Sequence, residues 1–164
     1  MPKNFDIIAK EQFKYLIDDY GFRLDKLKRD GIGYEVRYLS SLCAVHIEYE
    51  IREAYLFVML HKLVNGKFVE NPRPIVADSV LTGYSLDDIL LLRAPGAMIK
   101  PAYTYGESSK FYDKERGLTL FVSKFAENLR TYAADILTGN FAVFRILEPV
   151  VKARASNYAK SGSL

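Results

Sequence analysis

The sequence predicts an α+β fold, in which an antiparallel β-meander of four or five strands has one face covered by an N-terminal helix and a C-terminal helix pair. Apolar residues recur at helical spacing near the N-terminus, at alternate positions in the next third, and at helical spacing again in the last third. The 164 residues, of which 49% are hydrophobic, supply one core, so we expect a single domain over residues 1–164.

The first predicted element is a helix over residues 5–20. Its apolar residues recur at steps of three and four, while charged residues fill the opposite face: the apolar positions are Ala9, Phe13, Leu16, Ile17 and Tyr20. Gly21 follows the helix at the position where a left-handed backbone is favourable for glycine.

Residues 22–69 have a period of two and predict the meander. Turn signals at Asp30-Gly31, Ser40-Ser41 and Asn65-Gly66 separate its apolar runs. The runs predict strands at 34–39, 42–51 and 55–63.

Matching apolar positions across these turns predicts the register and the two faces of the meander. The apolar face carries Tyr34, Val36, Tyr38, Val45, Ile47, Tyr49, Leu56, Val58 and Leu60. The polar face carries Glu35, Arg37, His46, Glu48, Glu50, Tyr55, Phe57, Met59 and His61. A slip of one residue would mix the two sets, so the pattern favours this register.

Residues 70–109 predict an irregular linker with one short helix. Prolines and a glycine interrupt residues 70–84, and Ser85 is a typical helix N-cap because Asp87 and Asp88 follow it in the first turn. Pro95-Gly96 ends this helix, and a loop continues to about residue 109.

Residues 110–159 predict a helical part with two apolar stripes. The tight segment 138–140 joins the two helices as an antiparallel pair, and the last residues are expected to fray. Pro149 predicts a kink or a break in the second helix.

Composition narrows the classes of function. Cys43 is the only cysteine, which excludes an intrachain disulfide and a cysteine zinc cluster. No signal-peptide pattern and no apolar run of membrane-spanning length occurs, so we expect a cytoplasmic protein without a membrane contact. The net charge of +3 is too small and too diffuse to predict nucleic-acid binding.

The polar face carries the best candidates for a ligand or metal site, which are His46, Glu48 and His61. In the predicted register the two histidines are diagonal neighbours, about 7–8 Å apart at the backbone, so both could reach one metal ion or one substrate. The alternative is a solvated sheet face whose mixed charges keep the protein soluble.

Other catalytic patterns are not supported by the sequence. Cys43 and His46 are three residues apart on one strand, so they point to opposite faces, and a buried, inert Cys43 is the better interpretation. No dinucleotide fingerprint, P-loop or nucleophile elbow is present. We therefore lean towards a protein that is not an enzyme and needs no cofactor.

Two segments are candidates for binding a protein partner. Tyr103 and Tyr105 lie in a loop whose composition resembles that of contact surfaces, although the rings could instead fold back over the core. Glu50, Arg52 and Glu53 lie at the corner between two strands, where they form either a rim for a charged partner or a solvated turn.

The order of helix, Gly21-Phe22 step and meander through residues 45–53 resembles that of small bacterial α+β proteins of unassigned activity, some of which are immunity proteins. The resemblance covers about the first 65 residues and carries over no functional residue. It implies a bacterial, non-enzymatic protein that binds a partner. Together with the missing catalytic signatures and the surplus of tyrosine, this predicts a protein-binding module of the immunity or regulatory type, whose partner is another protein or a second copy of itself. The alternative is a small-ligand or metal-binding protein, or an enzyme, that uses the histidines.

Overall fold

The computed structural model describes residues 4–113 and 115–162, and its architecture confirms the predicted α+β class. Five strands form one antiparallel sheet in the order β1-β2-β3-β4-β5. The strands are β1 (Arg23–Arg29), β2 (Gly33–Leu39), β3 (Cys43–Glu50), β4 (Tyr55–Lys62) and β5 (Gly83–Ser85). The helices are α1 (Phe5–Gln12), α2 (Tyr15–Asp18), α3 (Leu86–Arg93), α4 (Gly117–Tyr132), α5 (Ala134–Leu137) and α6 (Ala142–Gly162). Short 3₁₀ turns span Pro95–Ala97, Ala102–Tyr105 and Lys110–Tyr112.

The predicted register of the meander is confirmed. Tyr38 pairs with Val45 across β2 and β3, and Ala44 pairs with His61 across β3 and β4. All nine side chains assigned to the apolar face are buried, and they share one core with α1, α3 and α4. Because burial of one large aliphatic side chain contributes roughly 1.5–3 kcal/mol, this face holds the helices on the sheet.

Tyr55 departs from the face that the alternation assigns to it. It is the first residue of β4 and belongs to the main core, where its ring packs edge-on against Phe125 with centroids 5.6 Å apart. The chain around Ile99 folds over this end of the sheet, and the carbonyl of Ile99 lies 2.9 Å from the Tyr55 hydroxyl. Tyr55 is therefore a core residue rather than part of the polar face.

The predicted helix over residues 5–20 is two helices, because the chain turns at Phe13 (φ −97°, ψ 10°) between α1 and α2. No breaker residue stands at the turn, and both Phe13 and Leu16 are fully buried, so tertiary packing overrides the helical pattern. Gly21 has the predicted left-handed conformation (φ 72°), and the N–H of Phe22 donates to the carbonyl of Leu16 (2.9 Å) to close the end of α2.

The predicted boundary between the meander and the linker is wrong in two places. β4 ends at Lys62, after which Val64 and Lys67 form only an isolated bridge. Residues Gly83–Ser85, predicted as part of an irregular connection, form the edge strand β5. The Asn71 side chain holds this strand in place, since its amide donates to the Gly83 carbonyl (2.8 Å) and its oxygen accepts from the N–H of Thr82 (2.7 Å).

The predicted start of α3 is confirmed, because the Ser85 hydroxyl accepts a hydrogen bond from the N–H of Asp88 (3.0 Å). The helical part of the chain differs from the prediction. The first predicted helix is interrupted at Ala133, and α6 continues unbroken through Pro149 to Gly162. α4 lies against α1, α3 and β4, whereas α6 lies against α3 and β5.

Ion pairs attach the part of α6 that follows its proline to neighbouring segments. Lys152 contacts Glu148 (2.8 Å) and donates to the carbonyl of Ala77 (2.9 Å). Arg154 forms a bidentate pair with Asp88 of α3, at 2.6 and 2.9 Å. These contacts tie the helix after Pro149 to α3 and to the segment at Ala77.

Within residues 4–113 and 115–162, no helix has the length and apolar character needed to cross a membrane.

We predict that Gly33→Ala lowers the free energy of unfolding by about 1–3 kcal/mol, because a Cβ at this position would overlap the backbone carbonyl of Tyr49 on β3. Gly31→Ala is the matched control in the same turn, since a Cβ there meets nothing within 4 Å. Urea unfolding of both variants measures the difference. Equal stability of the two would show that β2 and β3 are not this close at Gly33.

Candidate functional site

The two histidines of the polar face lie side by side, as the register predicts, with ring centroids 6.5 Å apart. They are not solvated, since the exposed fraction is 5% for His46 and 3% for His61. The Phe68 ring covers both, with its centroid 5.3 Å from that of His46 and 4.9 Å from that of His61. The Arg37 guanidinium lies over the Phe68 ring at 4.3 Å. The expectation of a solvated sheet face is therefore wrong around the histidines.

His46 contacts two carboxylates. Its Nε2 lies 2.9 Å from Oε1 of Glu35 and 3.4 Å from Oε1 of Glu48. Glu35 and Glu48 are directly opposite each other on β2 and β3. One ligand atom from each of the three residues falls within 4.8 Å of the other two. We call these three residues the Glu35 cluster.

Lys26 of β1 contacts the outer side of this cluster, with its Nζ 3.1 Å from Oε2 of Glu35. Partial burial acts to raise the pKa of Glu35, but hydrogen bonds from Lys26 and His46 outweigh it, so the pKa is lowered. Glu35 is thus held in its charged form. The sequence placed Glu35 on the same face as His46, and its position opposite Glu48 was the signal that it belongs to the site.

His61 makes different contacts from the Glu35 cluster. Its Nδ1 lies 3.2 Å from Oγ1 of Thr82, and that hydroxyl donates to the carbonyl of Val69 at 2.6 Å. Burial, with smaller contributions from the charges of His46 and Arg37, lowers the pKa of His61 to about 4. At neutral pH His61 is a neutral group that supports the covering segment.

A cavity of about 210 Å³ adjoins both histidines. Its lining consists of His46, Glu48, Phe57, Met59, His61, Glu70, Asn71 and Arg73. The lining contains both acidic and basic groups, and the volume is enough for several water molecules or a small polar ligand. The cavity therefore makes the cluster accessible on the side of Glu48.

Cys43 is fully buried in the main core, as predicted. Burial raises the pKa of its thiol to about 12. Because the thiolate is the reactive form of cysteine, Cys43 is inert at neutral pH.

The two segments predicted to bind a partner lie next to each other. The N–H of Ala102 donates to the carbonyl of Ala54 at 3.4 Å, which joins the loop of Tyr103 and Tyr105 to the corner between β3 and β4. We define the corner surface as Glu50, Arg52, Glu53, Tyr103 and Tyr105. Tyr103 is 54% exposed and Tyr105 is 41% exposed, so neither ring is buried.

The aromatic half of the corner surface is anchored to the core. The Tyr105 ring packs on Phe111 at 5.2 Å, and Phe111 packs on Phe121 of α4 at 5.4 Å. The Tyr105 hydroxyl accepts a hydrogen bond from the N–H of Lys100 (2.9 Å). The loop is therefore held by ring contacts and a hydrogen bond on a rigid helix.

The charged half of the corner surface is open to solvent. The Arg52 side chain is 90% exposed and lies 3.9 Å from the Glu53 carboxylate, a long and weak ion pair. Glu50, at the end of β3, is half-buried. Arg52 is therefore free to exchange its contact with Glu53 for an acidic group on a partner.

A further groove was not predicted from the sequence. It has a volume of about 1040 Å³ and lies between residues 71–77 and the C-terminal half of α6, with Ile75, Val76, Val151 and Tyr158 among its apolar residues. Sequence patterns did not indicate this groove, because residues 71–77 have no periodicity. Their position beside α6 therefore could not be predicted.

Comparison of the chain with protein-family models, with curated proteins and with solved structures finds no match.

We predict that protonation of His61 destabilises the fold in mild acid. Its pKa of about 4 in the folded state is below the value of 6.5 expected for the unfolded chain. The unfolded state therefore binds the proton first, and stability present above pH 6.5 is lost as the pH falls towards 4. The loss attributable to this residue is at most about 3 kcal/mol.

Urea unfolding of wild type and His61→Gln between pH 7 and pH 4.5 measures this loss, since glutamine does not titrate. The variant is expected to lose less stability over this range than the wild type. An NMR titration in which the His61 ring protonates with an ordinary histidine pKa would contradict the assignment.

Proposed function

We propose that this chain is a protein-binding module of the immunity or regulatory type, and that the corner surface is where its partner binds. The observation that carries the proposal is the hydrogen bond between Ala102 and Ala54, which makes one surface of two segments far apart in the sequence. Each segment alone has an ordinary explanation, as a loop or as a solvated turn. Together they form a patch with the composition of an interface.

The composition of the corner surface suits protein recognition. Tyrosine and arginine are enriched among the residues that dominate binding energy at interfaces, because each combines a large contact area with hydrogen-bonding groups. The corner surface contains the exposed side chains of Tyr103, Tyr105 and Arg52. Its acidic groups, Glu50 and Glu53, provide charge of the other sign at the rim.

The support beneath the surface lowers the cost of binding. Ordering a flexible side chain at an interface costs about 0.5–1.5 kcal/mol. The contacts of Tyr105 with Phe111 and with the N–H of Lys100 restrict its ring before a partner arrives. Tyr105 is thus pre-organised for binding a partner.

The charges of the surface indicate the chemistry of that partner. In the proposed complex Arg52 pairs with a carboxylate of the partner, and the exposed tyrosine rings make apolar or aromatic contacts. The occupant we favour is a different protein chain that presents an acidic group beside an apolar patch. A second copy of this chain is the alternative occupant.

We predict that Tyr103→Ala/Tyr105→Ala weakens partner binding at least 30-fold, since loss of one interface hot spot costs about 2 kcal/mol or more. Arg52→Ala is expected to slow association and to reduce its dependence on salt. Tyr158→Ala on α6 is the matched control, because it removes a tyrosine that is 77% exposed and lies outside the corner surface.

The experiment is affinity capture from a lysate of the source organism with wild type and each variant, followed by calorimetry with the purified partner. A stoichiometric protein that wild type and Tyr158→Ala retain and the double variant loses supports the proposal. A partner that the double variant retains with unchanged affinity contradicts it. Sedimentation showing a dimer that only the double variant disrupts would assign the surface to a second copy instead.

A further inference from the structure

We propose that the Glu35 cluster, formed by Glu35, His46 and Glu48, binds one divalent transition-metal ion, for which Zn²⁺ is the best match. This site lies on the polar face of the sheet, and the argument for it does not rest on the partner-binding function proposed above. It differs from the set suggested by the sequence, because Glu35 takes the place of His61. His61 Nδ1 instead lies beside Thr82 at 3.2 Å.

The spacing of the ligand atoms fits a small metal ion. Zinc binds histidine nitrogen and carboxylate oxygen at about 2.0–2.2 Å, so neighbouring ligand atoms of a tetrahedral site are about 3.4 Å apart. The Nε2 of His46 is 2.9 Å from Glu35 Oε1 and 3.4 Å from Glu48 Oε1. The three ligand atoms all lie within 4.8 Å of one another, which is close to the spacing that the ion requires.

The electrostatics of the sheet provide a second argument. Glu35 and Glu48 form a directly opposed cross-strand pair of like charge, which is a destabilising arrangement. Lys26 compensates only in part, because it contacts Oε2 of Glu35 and leaves Oε1 facing His46. A divalent cation between Oε1 of each glutamate would remove the repulsion, while Lys26 holds the ligating carboxylate in position.

The histidine is already oriented for binding. His46 is 5% exposed, and the edge-to-face contact with Phe68 restricts rotation of its ring. Its Nε2 is directed at the two carboxylates, and both neighbours lie on strands rather than on loops. In the bound form the ion replaces the hydrogen between Nε2 and Glu35, and the ring carries its proton on Nδ1. Little ordering cost therefore opposes binding.

The ligand set also selects the class of metal. Ca²⁺ and Mg²⁺ prefer sites made of oxygen ligands, whereas imidazole with carboxylates suits zinc and its neighbours in the first transition series. Three protein ligands leave a fourth position for water or for an exchangeable ligand. The cavity of about 210 Å³, which His46 and Glu48 also line, provides space for that ligand.

The test is isothermal titration of metal-free protein with Zn²⁺ at pH 7.5, repeated with Ca²⁺. We expect one Zn²⁺ per chain and much weaker binding of Ca²⁺. Loss of an outer-shell partner alone weakens metal binding about 10- to 100-fold, so Glu35→Gln and Glu48→Gln should each weaken it at least as much. Glu127→Gln is the control, since it removes a carboxylate that is 65% exposed on α4, outside the cluster and the corner surface, and should leave affinity unchanged.

Glu48→Gln keeps the test decisive even where His46→Gln fails to fold, because the Glu48 side chain is 51% exposed and its replacement leaves the core intact. The proposal is overturned by Zn²⁺ affinity that Glu35→Gln and Glu48→Gln both retain, or by the absence of stoichiometric binding in folded wild type. Equal weakening by Glu127→Gln would also overturn it, because it would show general attraction to surface charge. Co²⁺ spectra of wild type are expected to show tetrahedral coordination by nitrogen and oxygen, which Glu48→Gln should lose.

Discussion

The register of β3 between β2 and β4 is the constraint on which the core and the Glu35 cluster both depend. Alternate residues of β3 point to opposite faces, so Val45, Ile47 and Tyr49 enter the core while His46 and Glu48 lie on the other side. A slip of one residue would bury Glu48 among aromatic rings and expose Ile47. The free energy that fixes the hydrophobic core thus also fixes the distance between His46 and Glu35, two residues on different strands.

The length and regularity of each sequence pattern determine which parts of the fold could be predicted. The alternation in β2, β3 and β4 is long and regular, so the register and the buried face were predictable. β5 has only three residues, Gly83–Ser85, which is too short to show a period, and Asn71 determines its position from a distant segment. The turn at Phe13 depends likewise on tertiary packing, which overrides local preference.

In the candidate sites, too, strand periodicity predicts some features, whereas others depend on tertiary contacts. His46 and Glu48 could be predicted to share a face, because the strand pattern places them there. The sequence could not predict that Phe68 covers this face, because residues 63–82 have no periodic pattern that would indicate their path. Nor could the sequence show that Ala54 and Ala102 meet, because this contact is set by how the chain after α3 returns to the sheet. The sequence shows which residue types each segment carries, but which segments contact each other depends on the whole fold.

The two proposed sites are close enough to influence each other. A groove of about 250 Å³ has Glu35, Glu48 and Glu50 among its lining residues, and therefore runs from the Glu35 cluster to the rim of the corner surface. A divalent ion held by Glu48 would reduce the negative charge next to Glu50, and so would change the attraction between this rim and a charged partner. Coupling of binding free energies is reciprocal, so a partner that favours the less negative rim would also tighten the metal site. Glu48 and Glu50 are two residues apart on β3 and therefore point to the same face, which places the two proposed sites next to each other.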